Sequence, residues 1–419
     1  MKLLNLSVGA AILLTSVAPA LSDDIVKVLS IVTNRPGETD YIAGIEKSFE
    51  DANPGVDVQV EYMDDESFKV KLPTLLQSNQ KPDLFFSFSG GLVAEQQSQG
   101  VLRDITDHIN STGCAAQHSA GGMASYSVDE RVYGLPMYAS NVALYYNMDL
   151  AEKAGIDPQQ IKTWDDFLGQ VQAAKDAGVT PIVLGAKDRW PAMFYHAMLA
   201  LRMVGLEGYA AAMAGENGGF ASPEWVAVSE QLARLGELEP FQSGYLDTTY
   251  DKSQTLFGDG VGMFMLMGEW LVPAQAATAT DGKGIPKDRI GAVPFPVVEG
   301  GKGDADGTFG GMNGWLISAG ASDTAVDFLC HYVGTDNQRT AAEAGFWLPV
   351  AKGTADAVSD PHNSWAAAQL GKSSSHTVFD QNLPGAVAGA QLDAAVDLIS
   401  GATTPEDAQQ LIEDERQLL

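Results

Sequence analysis

The residues of this chain whose spacing hints at chemistry form incomplete motifs. Ser78-Asn79-Gln80-Lys81 has the S-x-x-K spacing of an acyl-transfer nucleophile and its base, yet neither S-D-N nor K-T-G follows it. Gly371-Lys372-Ser373 has the tail of a phosphate loop. Ala366, however, stands where that loop needs its first glycine. Asp304-Ala305-Asp306-Gly307 lacks the third ligand and the late glutamate of a calcium loop and reads as a solvated turn. Two cysteines and six histidines show no metal-ligand spacing, and H-E-x-x-H, G-x-S-x-G and G-x-G-x-x-G do not occur. Carboxylate pairs suited to glycoside hydrolysis always exist among 54 acids, so they decide nothing. No catalytic residue, metal or cofactor is expected.

The elements around these residues alternate. Residues 26–32 read as a strand, and 39–53 as an amphipathic helix with Ile42, Ile45 and Phe49 on one face. Residues 56–62 form a period-two strand, 68–78 a helix despite Pro73, and 82–88 a buried strand. Further along, 179–184 and 260–265 read as strands, with helices over 164–177 and 190–201. Such alternation predicts an α/β fold of mainly parallel sheets flanked by helices.

The chain has 419 residues, 45% of them apolar, which suits a protein of two or three lobes. Its formal net charge of −29 argues against nucleic acid, and against electrostatic attachment to anionic lipid. Residues 1–22 read as a secretory signal peptide. Lys2 supplies its positive start and Leu3 to Val17 its apolar stretch, with cleavage near Ala20 or Ser22. A periplasmic location is therefore expected. In an oxidising compartment Cys114 and Cys330 either pair as a disulfide or remain separate thiols, and the sequence leaves both open.

Eight segments, in order, resemble one family. They are Phe49-Glu50-Asp51-Ala52-Asn53-Pro54-Gly55-Val56-Asp57-Val58, Lys81-Pro82-Asp83-Leu84-Phe85-Phe86, and Gly100-Val101-Leu102-Arg103-Asp104-Ile105-Thr106. Next come Tyr133-Gly134-Leu135-Pro136-Met137-Tyr138, Leu144-Tyr145-Tyr146-Asn147 and Thr163-Trp164-Asp165-Asp166-Phe167. Phe257-Gly258-Asp259-Gly260-Val261-Gly262-Met263 and Gly345-Phe346-Trp347-Leu348-Pro349-Val350 complete the series. Together they resemble bacterial extracellular solute-binding proteins of the carbohydrate-binding branch, the maltose-, trehalose- and raffinose-type receptors of ABC importers. The resemblance implies a two-lobed periplasmic-binding-protein fold whose lobes are joined by crossing hinge strands. Lobe one would be 23–138 plus 294–347 and lobe two 139–293 plus 348–419. The crossings would fall near Tyr138–Asn141, Val293–Pro294 and Trp347–Pro349. It also implies a non-enzymatic, monomeric receptor that delivers a mono- to oligosaccharide to a membrane ABC permease.

A sugar presents an apolar C–H face and a rim of hydroxyls, which suit flat aromatic rings and directional polar groups. Trp270, in Gly268-Glu269-Trp270 after a strand, resembles the family's sugar-stacking tryptophan. Trp190, behind Lys187 and Arg189, resembles the aromatic of a second cleft loop. From lobe one, the loops after the first three strands carry Asn34, Arg35 and Glu38, then Asp64 and Asp65, then Ser87, Phe88, Ser89 and Gly90. Tyr138 and Ser140 sit at the first crossing. Gly310, Gly311, Asn313 and Trp315 lie in a glycine-dense strand entry that permits close approach to a ligand, and Asp380 precedes the C-terminal helices. A polyol, or a charged sugar derivative held by Arg35, Lys187 or Arg189, is the alternative ligand, and a glycan hydrolase the alternative activity. Ser87 to Gly91 lacks the Trp and the acid of maltose-type members, which weighs against a maltodextrin.

Overall fold

The computed structural model describes residues 24–377 and 379–419. The expected signal peptide lies outside the described residues. Thirteen strands follow in order among the described residues: β1 Asp24–Ile31, β2 Val56–Met63, β3 Leu84–Ser87, β4 Ser127–Val128, β5 Arg131–Val132, β6 Gly134–Ala139 and β7 Val142–Asn147. Then come β8 Phe264–Gly268, β9 Ile290–Val293, β10 Thr308–Phe309, β11 Met312–Ile317, β12 Leu348–Pro349 and β13 His376–Thr377.

Two sheets with two separate cores result. The first sheet runs β12-β6-β11-β3-β1-β2, with β1 parallel to β2 and β3 and with β11 antiparallel to β3 and β6. Its core gathers Ile42, Ile45 and Phe49 of the helix Glu38–Ala52 with Phe85, Phe86, Trp315, Phe328 and Trp347. In the second sheet β7 is antiparallel to β8, β9 and β10, and only β10 and β13 run parallel. The two-lobed α/β class stands, but both sheets are mixed, not mainly parallel: in the first, β12 is also antiparallel to β6. The second core includes Trp164, Phe167, Trp225, Phe257, Phe264 and Phe309.

Two expected strands change form. Residues 179–184 meet the second sheet only through isolated bridges from Ile182 to Phe241 and Phe264. Pro181 has no N–H to give a ladder, and the side-chain amide of Gln242 serves Leu184 instead, accepting from its N–H at 2.9 Å and donating to its carbonyl at 2.7 Å. The strand read at 260–265 begins at Phe264, because Gly260 adopts φ 71° in the turn before it.

The first crossing is Ser140-Asn141, between β6 and β7. The second is displaced. Phe295 and Phe309 belong to the second core, and Arg202 donates to the carbonyls of Asp304 and Gly307 at 2.8 Å and of Phe295 at 3.1 Å. Residues 294–309 therefore stay with lobe two, and the chain recrosses at Gly310-Gly311. There the two crossings touch: the Gly311 N–H donates to Ser140 Oγ at 2.9 Å, and the Ser140 N–H donates to the Gly311 carbonyl at 3.0 Å. A Cβ on Gly310 would fall 2.1 Å from the Ser140 carbonyl oxygen, so only glycine fits. The third crossing also comes later than expected. Leu348–Pro349 pairs with β6, and Ala351 bridges to His118, before the helix Pro361–Leu370 sets Trp365 against the second core.

Cys114 and Cys330 form a disulfide, Cα–Cα 5.8 Å, tying a short 3-10 turn to the helix Asp323–Tyr332 within lobe one. Among the described residues no helix is long and apolar enough to cross a membrane.

Candidate functional site

A cavity of about 450 Å³ lies between the two cores, lined by strand ends and loops of both lobes. Lobe two gives it an aromatic wall. Trp190 opens the helix Trp190–Met203, its ring centroid 4.5 Å from that of Tyr250 and 5.0 Å from that of Phe194. Phe194 lies 5.0 Å from Phe309 in turn. Trp270 follows β8, half-buried, and folds back over the strand end. A Cβ on Gly268 would fall 1.9 Å from its ring, so that fold-back depends on the glycine.

Lobe one faces this wall with charge. Asp64 caps the helix Asp65–Leu76 by accepting from the Ser67 N–H, and the next turns present Asp65, Glu66 and Lys69 to the cavity. Lys69 Nζ lies 2.7 Å from Asp65 and 2.9 Å from Glu66. It also stands 5.5 Å from the Phe88 ring and 5.6 Å from the Trp190 ring, spanning the lobes as a cation over two aromatic faces. Burial alone would lower its pKa, but the two carboxylates raise it. Arg35 covers the Tyr138 ring at 5.0 Å and pairs with buried Glu38 at 3.1 Å. Asn34 Nδ2 reaches Asp251 of lobe two at 3.4 Å.

Two acids are strongly perturbed. Burial pushes Glu269, beneath Trp270, up to about 7, partly offset by the Asn141 N–H it accepts at 2.9 Å and by Arg35. Asp380, on the cavity wall, is pushed up to about 6 by burial, with Lys69 acting the other way. Five polar atoms of cavity-lining residues have no hydrogen-bond partner: Asp65 Oδ1, Asn313 Oδ1, Asp380 Oδ1, Gln381 Oε1 and Trp190 Nε1. Four accept and one donates. Buried groups of this kind each cost about 1–3 kcal/mol unless a water or a ligand meets them.

The sequence pattern described as bacterial extracellular solute-binding protein matches residues 45–370. The chain belongs to this family. An ABC transporter extracellular-binding protein of Pyrococcus horikoshii is 25% identical over 265 residues, which is 62% of this chain and 58% of that protein. A multiple sugar-binding protein of Streptococcus mutans is 25% identical over 290 residues, 67% of this chain and 61% of its own. The matched stretches thus span about 60% of those relatives' lengths. Among solved structures, a protein from work on xylan utilisation by Caldanaerobius polysaccharolyticus superposes with TM-score 0.84 at 23% identity, covering 93% of this chain and 99% of that one. A chitin oligosaccharide binding protein gives 0.83 at 23% identity, covering 94% and 99%. At such identity the likeness carries the fold.

In this solute-binding protein the cavity brings together Asn34, Arg35, Tyr138, Ser140, Arg189, Trp190, Trp270, Gly310, Gly311, Asn313 and Asp380 of the expected residues. The others lie elsewhere. Glu38 is buried behind Arg35, where the Trp347 indole N–H donates to it at 2.6 Å. Asp64 is spent on its cap, and Lys187 is exposed on the turn outside. Trp315 is core, its indole N–H donating to Met137 Sδ at 3.3 Å. Glu269 supports the hinge from below. Ser89 is buried, its N–H donating to Ser87 Oγ, and Gly90 packs at the seam between the lobes: a Cβ there would fall 2.7 Å from the Gln381 carbonyl oxygen.

The expected list lacked Glu66, Lys69, Phe194, Tyr250, Phe309 and Gln381. The Asp65–Lys69 spacing reads as an ordinary solvated i,i+4 pair. Tyr250, at the first position after its Thr249 cap, carried a usable signal, because a ring at a helix start behind a polar loop repeats the pattern of Trp190.

Proposed function

We propose that this solute-binding protein captures a mono- to oligosaccharide between its lobes and hands it to the membrane permease of an ABC importer. The observation that carries this reading is one cavity holding both the Trp190–Tyr250–Phe194 wall with Trp270 and the unpartnered acceptors of Asp65, Asn313, Asp380 and Gln381. Rings suit the C–H face of a sugar, and the acceptors suit its hydroxyl donors. Relatives named for sugars agree with it: the multiple sugar-binding protein, and an arabinooligosaccharide-binding protein of Bacillus subtilis, 45% identical over 42 residues. On this reading the protein works as an exported monomer, the ligand leaves unchanged, and no residue is catalytic.

The test is a melting-temperature and tryptophan-emission survey of residues 23–419 against sugars and polyols, with the ligand recovered afterwards. A ligand at 1,000 times its dissociation constant stabilises by about 4 kcal/mol, which a melt resolves. A single clear hit, recovered intact and lost in Trp270→Ala, supports the reading. Silence across the panel refutes sugar capture, and release of shorter sugars refutes the receptor.

A further inference from the structure

We propose that the cleft reads ligand charge through Asp380: it takes a neutral or amine-bearing sugar and excludes uronates and sugar phosphates. This rests on the sugar-receptor reading and narrows it.

The argument begins with which polar groups are already occupied. Three cations line the cavity, and each has its own acid. Arg35 holds Glu38, Lys69 holds Asp65 and Glu66, and Arg189 holds Asp393 at 2.7 Å. Each is thus already paired with protein carboxylates. Asp65 and Glu66 share Lys69, whereas Asp188 and Asp380 have no cation at ion-pair distance among the described residues. Asp188 accepts the Tyr250 N–H at 2.7 Å, while Asp65 Oδ1 and Asp380 Oδ1 have no partner. Among the described residues, the fully buried unpartnered side-chain atoms of the lining are four acceptors and the Trp190 indole N–H. An acceptor-rich site is completed by a ligand that donates, and hydroxyl and amine groups do so. A carboxylate or phosphate brings only acceptors and negative charge. It would sit near Asp65, Glu66, Asp188 and Asp380, which line the same cavity.

Asp380 is the decisive member. It lines the lobe-two wall with no cation at ion-pair distance among the described residues, and the charges acting on it are Lys69 and Asp65 of the facing lobe. Lys69 is already divided between two other carboxylates. A hydroxyl or ammonium hydrogen from the ligand therefore supplies what the protein does not.

The experiment is isothermal titration of the mature chain with matched series of one to four units: glucose and cello-oligosaccharides, glucosamine and chitosan oligosaccharides, glucuronate and cellouronates, with xylo- and arabino-oligosaccharides and glucose 6-phosphate beside them. The expected result is that a neutral or aminated member binds at least tenfold more tightly than its uronate counterpart. In Asp380→Asn, which keeps an acceptor oxygen but removes the charge, the ratio should narrow at least tenfold, through tighter uronate binding and, for aminated ligands, through loss of the charge-assisted contact. A purely structural role would weaken both ligands together and leave the ratio unchanged, and that overturns the assignment to Asp380. A uronate or phosphate binding as tightly as its neutral counterpart overturns charge exclusion while leaving a sugar receptor in place. No binding by any member overturns the receptor reading itself. The wild-type panel decides charge exclusion even where the variant fails to fold.

Discussion

Glu269→Gln should remove most of one pH-dependent loss of stability. Glu269 is 3% exposed and accepts the Asn141 N–H at 2.9 Å, directly beneath the first crossing. Burial pushes its pKa from 4.5 to about 7. The native state therefore holds this proton more tightly than the unfolded chain does. Between pH 4.5 and 7 the unfolded state has released it while the native state keeps it, so stability falls as pH rises through that window and levels off above it. A shift of about 2.5 units corresponds to roughly 3 kcal/mol at full extent, of which about 2.5 kcal/mol falls between pH 5 and 8. Glutamine keeps the acceptor for Asn141 but does not titrate. Any cost of its extra N–H group is the same at both pH values. Urea unfolding of the two proteins at pH 5 and pH 8 isolates the effect, since every other titrating group cancels in the difference. The variant should gain about 2–3 kcal/mol on the wild type between pH 5 and 8. Parallel pH profiles would refute the reasoning, and so would a variant that loses ground as pH rises.

Other perturbations address separate parts of the structure. Reducing Cys114–Cys330, or replacing both with alanine, should cost up to about 5 kcal/mol in urea unfolding, because the bridge spans a sequence separation of 216. Trp190→Ala and Trp270→Ala should each weaken ligand binding at least tenfold while shifting the melt little, since both rings are half-exposed. Trp164→Ala should do the opposite, costing about 3–5 kcal/mol of stability from a ring only 1% exposed and leaving affinity unchanged in the folded fraction. Gly310→Ala drives a Cβ to 2.1 Å from the Ser140 carbonyl and should cost about 1–3 kcal/mol, with weaker ligand-dependent compaction in small-angle scattering.

What the sequence made legible was local. Trp190 and Trp270 could be singled out because each follows a strand and a short polar loop, and that arrangement is written in consecutive residues. Phe194 and Tyr250 meet Trp190 and Phe309 meets Phe194, from positions up to about 120 residues away, and all three carry ordinary helix and strand signatures. Glu38 looked like a loop acid with a free side chain. Its burial depends on Trp347, 309 residues further on, and no local pattern reports that contact. The second crossing was misplaced for a related reason. Proline at 294 marks a strand end, but what keeps residues 294–309 with lobe two is the Arg202 side chain on three of their carbonyls. Strand direction in the second sheet was equally hidden. A two-residue crossing between β6 and β7 moves the chain into a new sheet without specifying which neighbours β7 will meet.

The unpartnered atoms of the cleft are divided between the lobes, and that division bears on how closure depends on ligand. Asp65 and Asn313 belong to lobe one, and Trp190, Asp380 and Gln381 to lobe two. Among the described residues, polar contacts across the cavity include Asn34 to Asp251 at 3.4 Å and Lys69 over Trp190 at 5.6 Å, beside the packing of Gly90 on Gln381. If opening the hinge exposes these five atoms, water satisfies them there. Closing without ligand removes that water and supplies nothing in exchange. At about 1 kcal/mol each, the five atoms oppose empty closure by about 5 kcal/mol. A differential of about 5.5 kcal/mol is what moves a two-state equilibrium from 1:99 to 99:1. A ligand that satisfies both halves of the set therefore contributes about the energy that a hinge needs to switch, whereas a shorter sugar reaching only one half would bind without closing the lobes. On the proposed function, delivery would then be selective for ligands long enough, and rich enough in donors, to join Asn313 to Asp380.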